Sequence, residues 1–271
     1  YSSAASDVYK RQYLSTVGLY ARWNLYKILT IILITALAAG FLVYRYPIGT
    51  VVLDENYVSA ETGETTQLVA SYPKLEGVVS GSGAPVVCAA GFAAIVAVMS
   101  LTGCGYGVKT EYTIRRLRVK ERQAVLLWAA YHAVLLVIYW AVLAAVLYGV
   151  MHLRLQMDVP VDYFVYMYGP QSMLLLCYTD TFLHHLLPLR DVAAWGVGIA
   201  SVLAAALSTV LFSYRQRRGS FSVMVLLALA GTIGSFFCGL GENANALLMV
   251  LLLGVAGAAF VMLIGGDKDA A

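Results

Sequence analysis

The stretch AVLLWAAYHAVLLVIYWAVLAAVLYGV, residues 124–150, decides how the chain must be read. It carries no formally charged side chain. A membrane helix needs roughly 20 largely apolar residues to cross about 30 Å of hydrocarbon. This stretch exceeds that length and leaves room to tilt. The whole chain shares its character: of 271 residues, 61% are hydrophobic and 12% are charged. Soluble domains run nearer 45–50% apolar and about 25% charged. One soluble core of this size cannot hide such a surplus, and the bilayer is its natural solvent. The net charge of +3 is small and supplies no strongly basic or acidic face for nucleic acid.

Working outward, five further apolar stretches read as spans: residues 28–44, 85–103, 192–212, 221–240 and 246–266. The expectation is therefore an all-α polytopic membrane protein of six transmembrane helices. Charge in the short loops sets its orientation. The segment VKTEYTIRRLRVKER holds Lys109, Arg115, Arg116, Arg118, Lys120 and Arg122 against Glu111 and Glu121. The segment SYRQRRGS holds Arg215, Arg217 and Arg218 with no acid, and Arg22 and Lys27 precede the first span. Positive charge in short loops stays cytoplasmic, so both termini are expected inside. The acidic segment 46–84 then falls outside, as a short hairpin or a mobile loop.

Residues 153–191 interrupt the pattern. Asp180, His184, His185 and Pro188 break an otherwise apolar run. A seventh span here would move the SYRQRRGS loop outside, against the charge rule. The segment is expected to form an outer interfacial or re-entrant helix between the third and fourth spans, which is tolerated where protein covers it.

The opening SSAASDVYKRQ, residues 2–12, has no apolar run of its own and is similar to the in-frame translation of a sequencing-library adapter. Residues 1–12 are set apart on that ground, and residues 13–271 are read as one membrane domain.

Few constellations carry chemistry. GCGYGVKT, residues 103–110, imitates a phosphate-binding loop, but Val108 stands where the second Gly of G-x-x-x-x-G-K-[ST] is required. ATP hydrolysis is therefore not expected in this chain, nor is any cofactor or catalytic residue. Asp180 and His184 share a helix face at metal-ligand spacing, but a full ligand set is missing. His132 and Tyr131 lie within the third span, where a polar group is either functional or bonded to a neighbouring helix; the second reading is favoured. Cys88, Cys177 and Cys238 are placed near the outer face. A bridge such as Cys88 to Cys177 suits an oxidising exterior, and ordinary apolar packing is the competing reading. The pairs Ala36 and Gly40, Gly231 and Ser235, and Gly254 and Ala258 have small-residue helix-packing spacing. Finally, Tyr112, Ile114, Leu117 and Val119 interleave with arginines between the second and third spans. That pattern serves either as a topology anchor or as a docking helix for a soluble partner.

EYTIRRLRVKE after the second span and YTDTFLHHLLPLRD before the fourth resemble the permease proteins of type-2 ABC exporters of Gram-positive bacteria. The likeness runs from Lys27 over nearly the whole chain. It implies a permease subunit in the cell membrane that pairs with a second permease, contacts membrane lipid, and couples to a separate ATPase. It further implies that Glu111, Tyr112, Arg115, Arg116 and Leu117 seat in that ATPase; Arg118 stands where the family tends to have Pro. The rival reading is a membrane scaffold or sensor with no ATPase partner.

Overall fold

The computed structural model describes residues 2–58, 65–74, 77–102, 104, 121–158, 172–189, 191–237 and 242–265. In chain order these form helix α1 (Ser2–Arg45), strands β1 (Gly49–Val58) and β2 (Thr65–Lys74), and the short α2 (Val78–Gly81). Then come α3 (Ala84–Thr102), α4 (Glu121–Asp158), α5 (Ser172–Thr179), α6 (Thr181–Leu186) and α7 (Val192–Arg217). Helix α8 (Met224–Thr232) runs straight into a π-helical turn (Ile233–Phe237), and α9 (Glu242–Gly265) follows. The scaffold is helical throughout. The antiparallel hairpin, in register from Gly49 opposite Lys74 to Val58 opposite Thr65, departs from it within the segment expected outside.

Among the described residues, five helices are long and apolar enough to cross a membrane: Val17–Arg45, Ala84–Thr102, Arg122–Met157, Val192–Arg217 and Asn243–Gly265. The chain is accordingly a multi-pass membrane protein. The first and third exceed the expected 28–44 and 124–150. Their added turns are not uniformly apolar, yet Tyr20, Met151 and Leu155 are buried and anchor them. The stretch expected to be the fifth span, residues 221–240, instead holds the shorter apolar helix Met224–Phe237. At about 1.5 Å per residue it covers roughly 20 Å, less than the hydrocarbon thickness. Its last turn widens to π geometry at Ile233, where Thr232 and Ser235 turn their hydroxyls onto backbone carbonyls of the same helix. The segment expected as one interfacial or re-entrant helix is two short helices, α5 and α6, broken at Asp180. Residues 2–12 continue α1 without a break.

Helix α7 is the central post. It packs against α9 most extensively, and also against α3, α4 and α8. Its buried face is built from small residues, including Ala200, Ser201, Ala204, Ala205, Ala206 and Ser208. Helix α1 pairs with α3 and α4. The largest buried cluster joins Ile32 and Val43 of α1, Phe92 and Ile95 of α3, Tyr139 and Leu143 of α4, and Phe182 of α6. A second joins Tyr20, Trp128, Tyr214 and Leu263. Many remaining apolar side chains point outward, Leu33, Ile34, Val250 and Leu251 among them, as a helix bundle in hydrocarbon requires.

Small residues set the closest approaches. A Cβ placed on Gly91 would collide with the Thr35 side chain, one on Gly40 would crowd Val146, and one on Gly231 would crowd Leu252. Two of the three expected small-residue pairs thus hold their glycine at a helix contact, whereas Gly254 faces open space. Gly91→Leu is expected to destabilise the bundle by about 1–3 kcal/mol through overpacking. Thermal unfolding of the detergent-solubilised protein will show a lowered midpoint, Gly254→Leu will leave it unchanged, and Thr35→Ala will restore much of what Gly91→Ala loses.

Candidate functional site: a carboxylate bracket and a buried polar seam

Asp180 organises the region before α7. Its side chain is fully buried at the break between α5 and α6. One carboxylate oxygen caps α6 by accepting from the backbone N–H groups of Phe182 (3.0 Å) and Leu183 (3.1 Å). The other accepts from the N–H groups of Val79 (2.9 Å) and Ser80 (3.0 Å) on α2. A helix N-terminus leaves its first N–H groups unpaired and carries partial positive charge. A single carboxylate here answers both α2 and α6 and ties two segments far apart in sequence into one bracket. Gly81 closes it, since a Cβ there would strike the hydroxyl of Tyr46.

Arg154 forms a second clamp at this end of the molecule. Its guanidinium donates to the carbonyls of Val43 (3.3 Å), Tyr44 and Tyr46 (3.1 Å), at and just past the C-terminal end of α1. A cation at that position complements the helix dipole. Asp191 caps α7 through the N–H groups of Ala193 and Ala194 and lies 3.9 Å from His184. His185 donates from Nδ1 to the Thr181 carbonyl (2.8 Å) and accepts at Nε2 from the Asn245 amide (3.0 Å), which joins α6 to α9.

The buried polar seam lies between α4 and α7. His132 is fully buried, with Nδ1 3.0 Å from the Thr209 hydroxyl. Thr209 gives its own proton to the Ala206 carbonyl (2.9 Å). Its oxygen is therefore the acceptor, and His132 carries its proton on Nδ1. The seam continues to Ser213, which donates to the Ser100 carbonyl of α3 (2.6 Å), and to Tyr131, which donates to Asn24 of α1 (2.9 Å). Trp128 stacks on Tyr20 at 4.8 Å and lies under the Arg217 guanidinium. His132 thus bonds to a neighbouring helix, as the sequence led one to expect.

The Asp180–His184 pair does not act as a metal site in this arrangement. Both Asp180 oxygens are committed to backbone amides, and among the described residues no group of three His, Cys, Asp or Glu side chains is placed to hold an ion. Cys88 and Cys177 are separate buried thiols, so the bridge weighed between them is not formed; Cys238 lies outside the described residues. Glu111, Tyr112, Arg115, Arg116 and Leu117 likewise lie outside them. Arg154, and the bracketing role of Asp180, were not foreseen. The available signal was weak: an arginine just past an apolar run, and an Asp one residue ahead of an apolar helical turn. No protein-family model, curated protein or solved structure matches the chain.

Asp180→Ala strands four backbone N–H groups. A lost cap costs about 0.5–2 kcal/mol, and buried unpaired groups about 1–3 kcal/mol more. The expected result is a loss of several kcal/mol in unfolding, with faster amide hydrogen exchange at residues 79, 80, 182 and 183. Burial, and then the neighbouring Asp180 carboxylate, push the Cys177 thiol above its ordinary pKa. Its thiolate, the reactive form, is scarce at neutral pH. In a variant whose other cysteines are replaced, alkylation at Cys177 will be slow at pH 7 and will rise only in alkaline buffer.

Proposed function

We propose that the chain is the permease subunit of an ATP-driven exporter of the type-2 ABC class, in the cytoplasmic membrane of a Gram-positive bacterium. It crosses the membrane six times with both termini inside. It pairs with a second permease, itself or a sister chain, and takes its energy from a separate ATPase seated on residues 109–122.

The observation that carries this reading is the gathering of basic ends at one end of the bundle. The C-terminal end of α3 meets that of α7 through Ser100 and Ser213. Arg215, Arg217 and Arg218 follow Ser213 within about two turns of the end of α7. The basic sequence 105–122 links α3 to α4, and Trp128 of α4 lies under Arg217 and stacks on Tyr20 of α1. Leu263 near the end of α9 belongs to the same cluster. Short loops rich in Lys and Arg remain cytoplasmic, so this end faces the compartment where an ATPase and its nucleotide are found.

Six crossings are supported by where the fifth apolar helix starts and stops. Met224 packs with the cluster at the basic end, while Phe236 reaches Trp140 and His185. Asn245 then meets His185 at the start of α9. Although short, Met224–Phe237 runs from the basic end to the level of α6.

Affinity purification of residues 13–271, with a start Met added, from gently solubilised native membranes will recover an ATPase. The variant Arg115→Glu, Arg116→Glu will lose it. Recovery of no ATPase under conditions that preserve a known exporter complex overturns the proposal in favour of a scaffold or sensor. In a cysteine-free background, an impermeant maleimide will label Thr62→Cys in intact cells and Ser220→Cys only after permeabilisation.

A further inference from the structure

A groove of about 250 Å³ runs between α4 and α7 beneath α6. Trp140 and Trp195 stand at its sides, Gly198 and Phe236 line it, and His185 and Pro188 close its upper end. No charged side chain lines it. The rim is outward-facing hydrocarbon: Trp195 is 54% exposed, Ile199 59% and Leu203 41%.

Two cross-helix bonds fix its depth. Ser213 is tied to Ser100, near the basic end of α3. His132 of α4 is bonded to Thr209 of antiparallel α7, so Trp140, eight residues farther along α4, lies about 12 Å above Thr209, near the level of Ser201 and about 14 Å inside the start of α7 at Val192. From Ala194 to Leu203 the groove follows α7 for about 14 Å, close to half the hydrocarbon thickness. It therefore occupies one leaflet, the outer one in the orientation proposed above, and opens sideways to it. Trp195, one turn inside α7, sits at the depth where tryptophan belts meet lipid glycerol and ester groups, and Trp140 lies about 9 Å deeper.

We infer that this groove is a binding site for one acyl chain of a bilayer glycerophospholipid. The ester region of the lipid lies at the level of Trp195, and the chain runs over Gly198 to Trp140 and Leu203. The site needs only that the bundle be embedded in a bilayer, so it stands apart from the exporter assignment. The surrounding medium decides the occupant. A lipid tail matches an uncharged, laterally open groove one leaflet deep.

Single-tryptophan proteins retaining Trp140, Trp195 or Trp128, with the others changed to Phe, will be reconstituted in phosphatidylcholine vesicles with brominated acyl chains. Outward-facing Trp195 sets the full quenching of a lipid-exposed indole, and buried Trp128 sets the floor. Trp140 is expected to be quenched well above the Trp128 level, as contact with a seated tail requires. Gly198→Phe, which fills the groove, is expected to return it to the Trp128 level. Two results overturn the inference: quenching of Trp140 no greater than that of Trp128 in the otherwise unaltered background, or quenching unchanged by a folded Gly198→Phe protein. Disulfide cross-linking between copies through Ile199→Cys or Leu203→Cys, with Trp140 unquenched, would assign the groove to a second copy instead. The comparison of Trp140 with Trp128 does not depend on Gly198→Phe folding. It is also independent of ATPase recovery, so the two proposals fail separately.

Discussion

Hydrocarbon offers no hydrogen bonds, and this constraint explains where the chain places its few charges. Unpaired backbone groups cost several kcal/mol in such a medium. Regular helix satisfies the spans, and among the described residues the end of α1 and the starts of α2, α6 and α7 are answered by specific internal partners. Arg154 closes the C-terminus of α1, Asp191 opens α7, and Asp180 serves α2 and α6 at once. These side chains are structural counterparts of helix ends, which is why Asp180 and Arg154 sit among apolar neighbours without forming an ion pair with each other. The Asp180 carboxylate takes its compensation from four amide dipoles, the arrangement that makes a buried acceptor tolerable.

The spans were legible because their signal is long and uniform. A run of about 20 apolar residues has no other economical solvent, and the basic loops add an independent statement of direction. Helix ends were less legible. Tyr20 and Trp23, or Met151 to Leu155, do not read as membrane residues, yet they pack on neighbouring helices and extend α1 and α4. The stretch 221–240 looked like an ordinary span because composition does not distinguish α from π geometry. Thr232, Gly234 and Ser235 mark the place where the helix changes, but only in hindsight.

The bracket was the least legible part, for a physical reason. The two amides that define the second half of Asp180's role belong to Val79 and Ser80, some hundred residues earlier. Backbone donors leave no trace in residue type. The sequence reading saw Asp180 and His184 four apart on one helix face; the fold spends the carboxylate on capping. His132 was easier, since a lone histidine in a span has few options and a hydroxyl on a neighbouring helix is among the commonest.

The interior hydrogen bonds also bear on how the bundle can move. Several buried hydroxyls on α7 and α8 bond carbonyls of their own helix alone, as in Ser208 to Ala205 and Thr232 to Ala228. Such bonds satisfy the group without fastening one helix to another. The ties that do cross helices lie at two levels: Ser213 to Ser100, His132 to Thr209 and Tyr131 to Asn24 toward the basic end, and Tyr139 to Cys88 and His185 to Asn245 toward the bracket. Individual cross-helix bonds in membranes average only about 0.6 kcal/mol. Between the two levels α7 meets α8 and α9 through alanine, glycine and methionine surfaces. Smooth contacts of this kind permit small sliding of packed helices, the shear mode of conformational change.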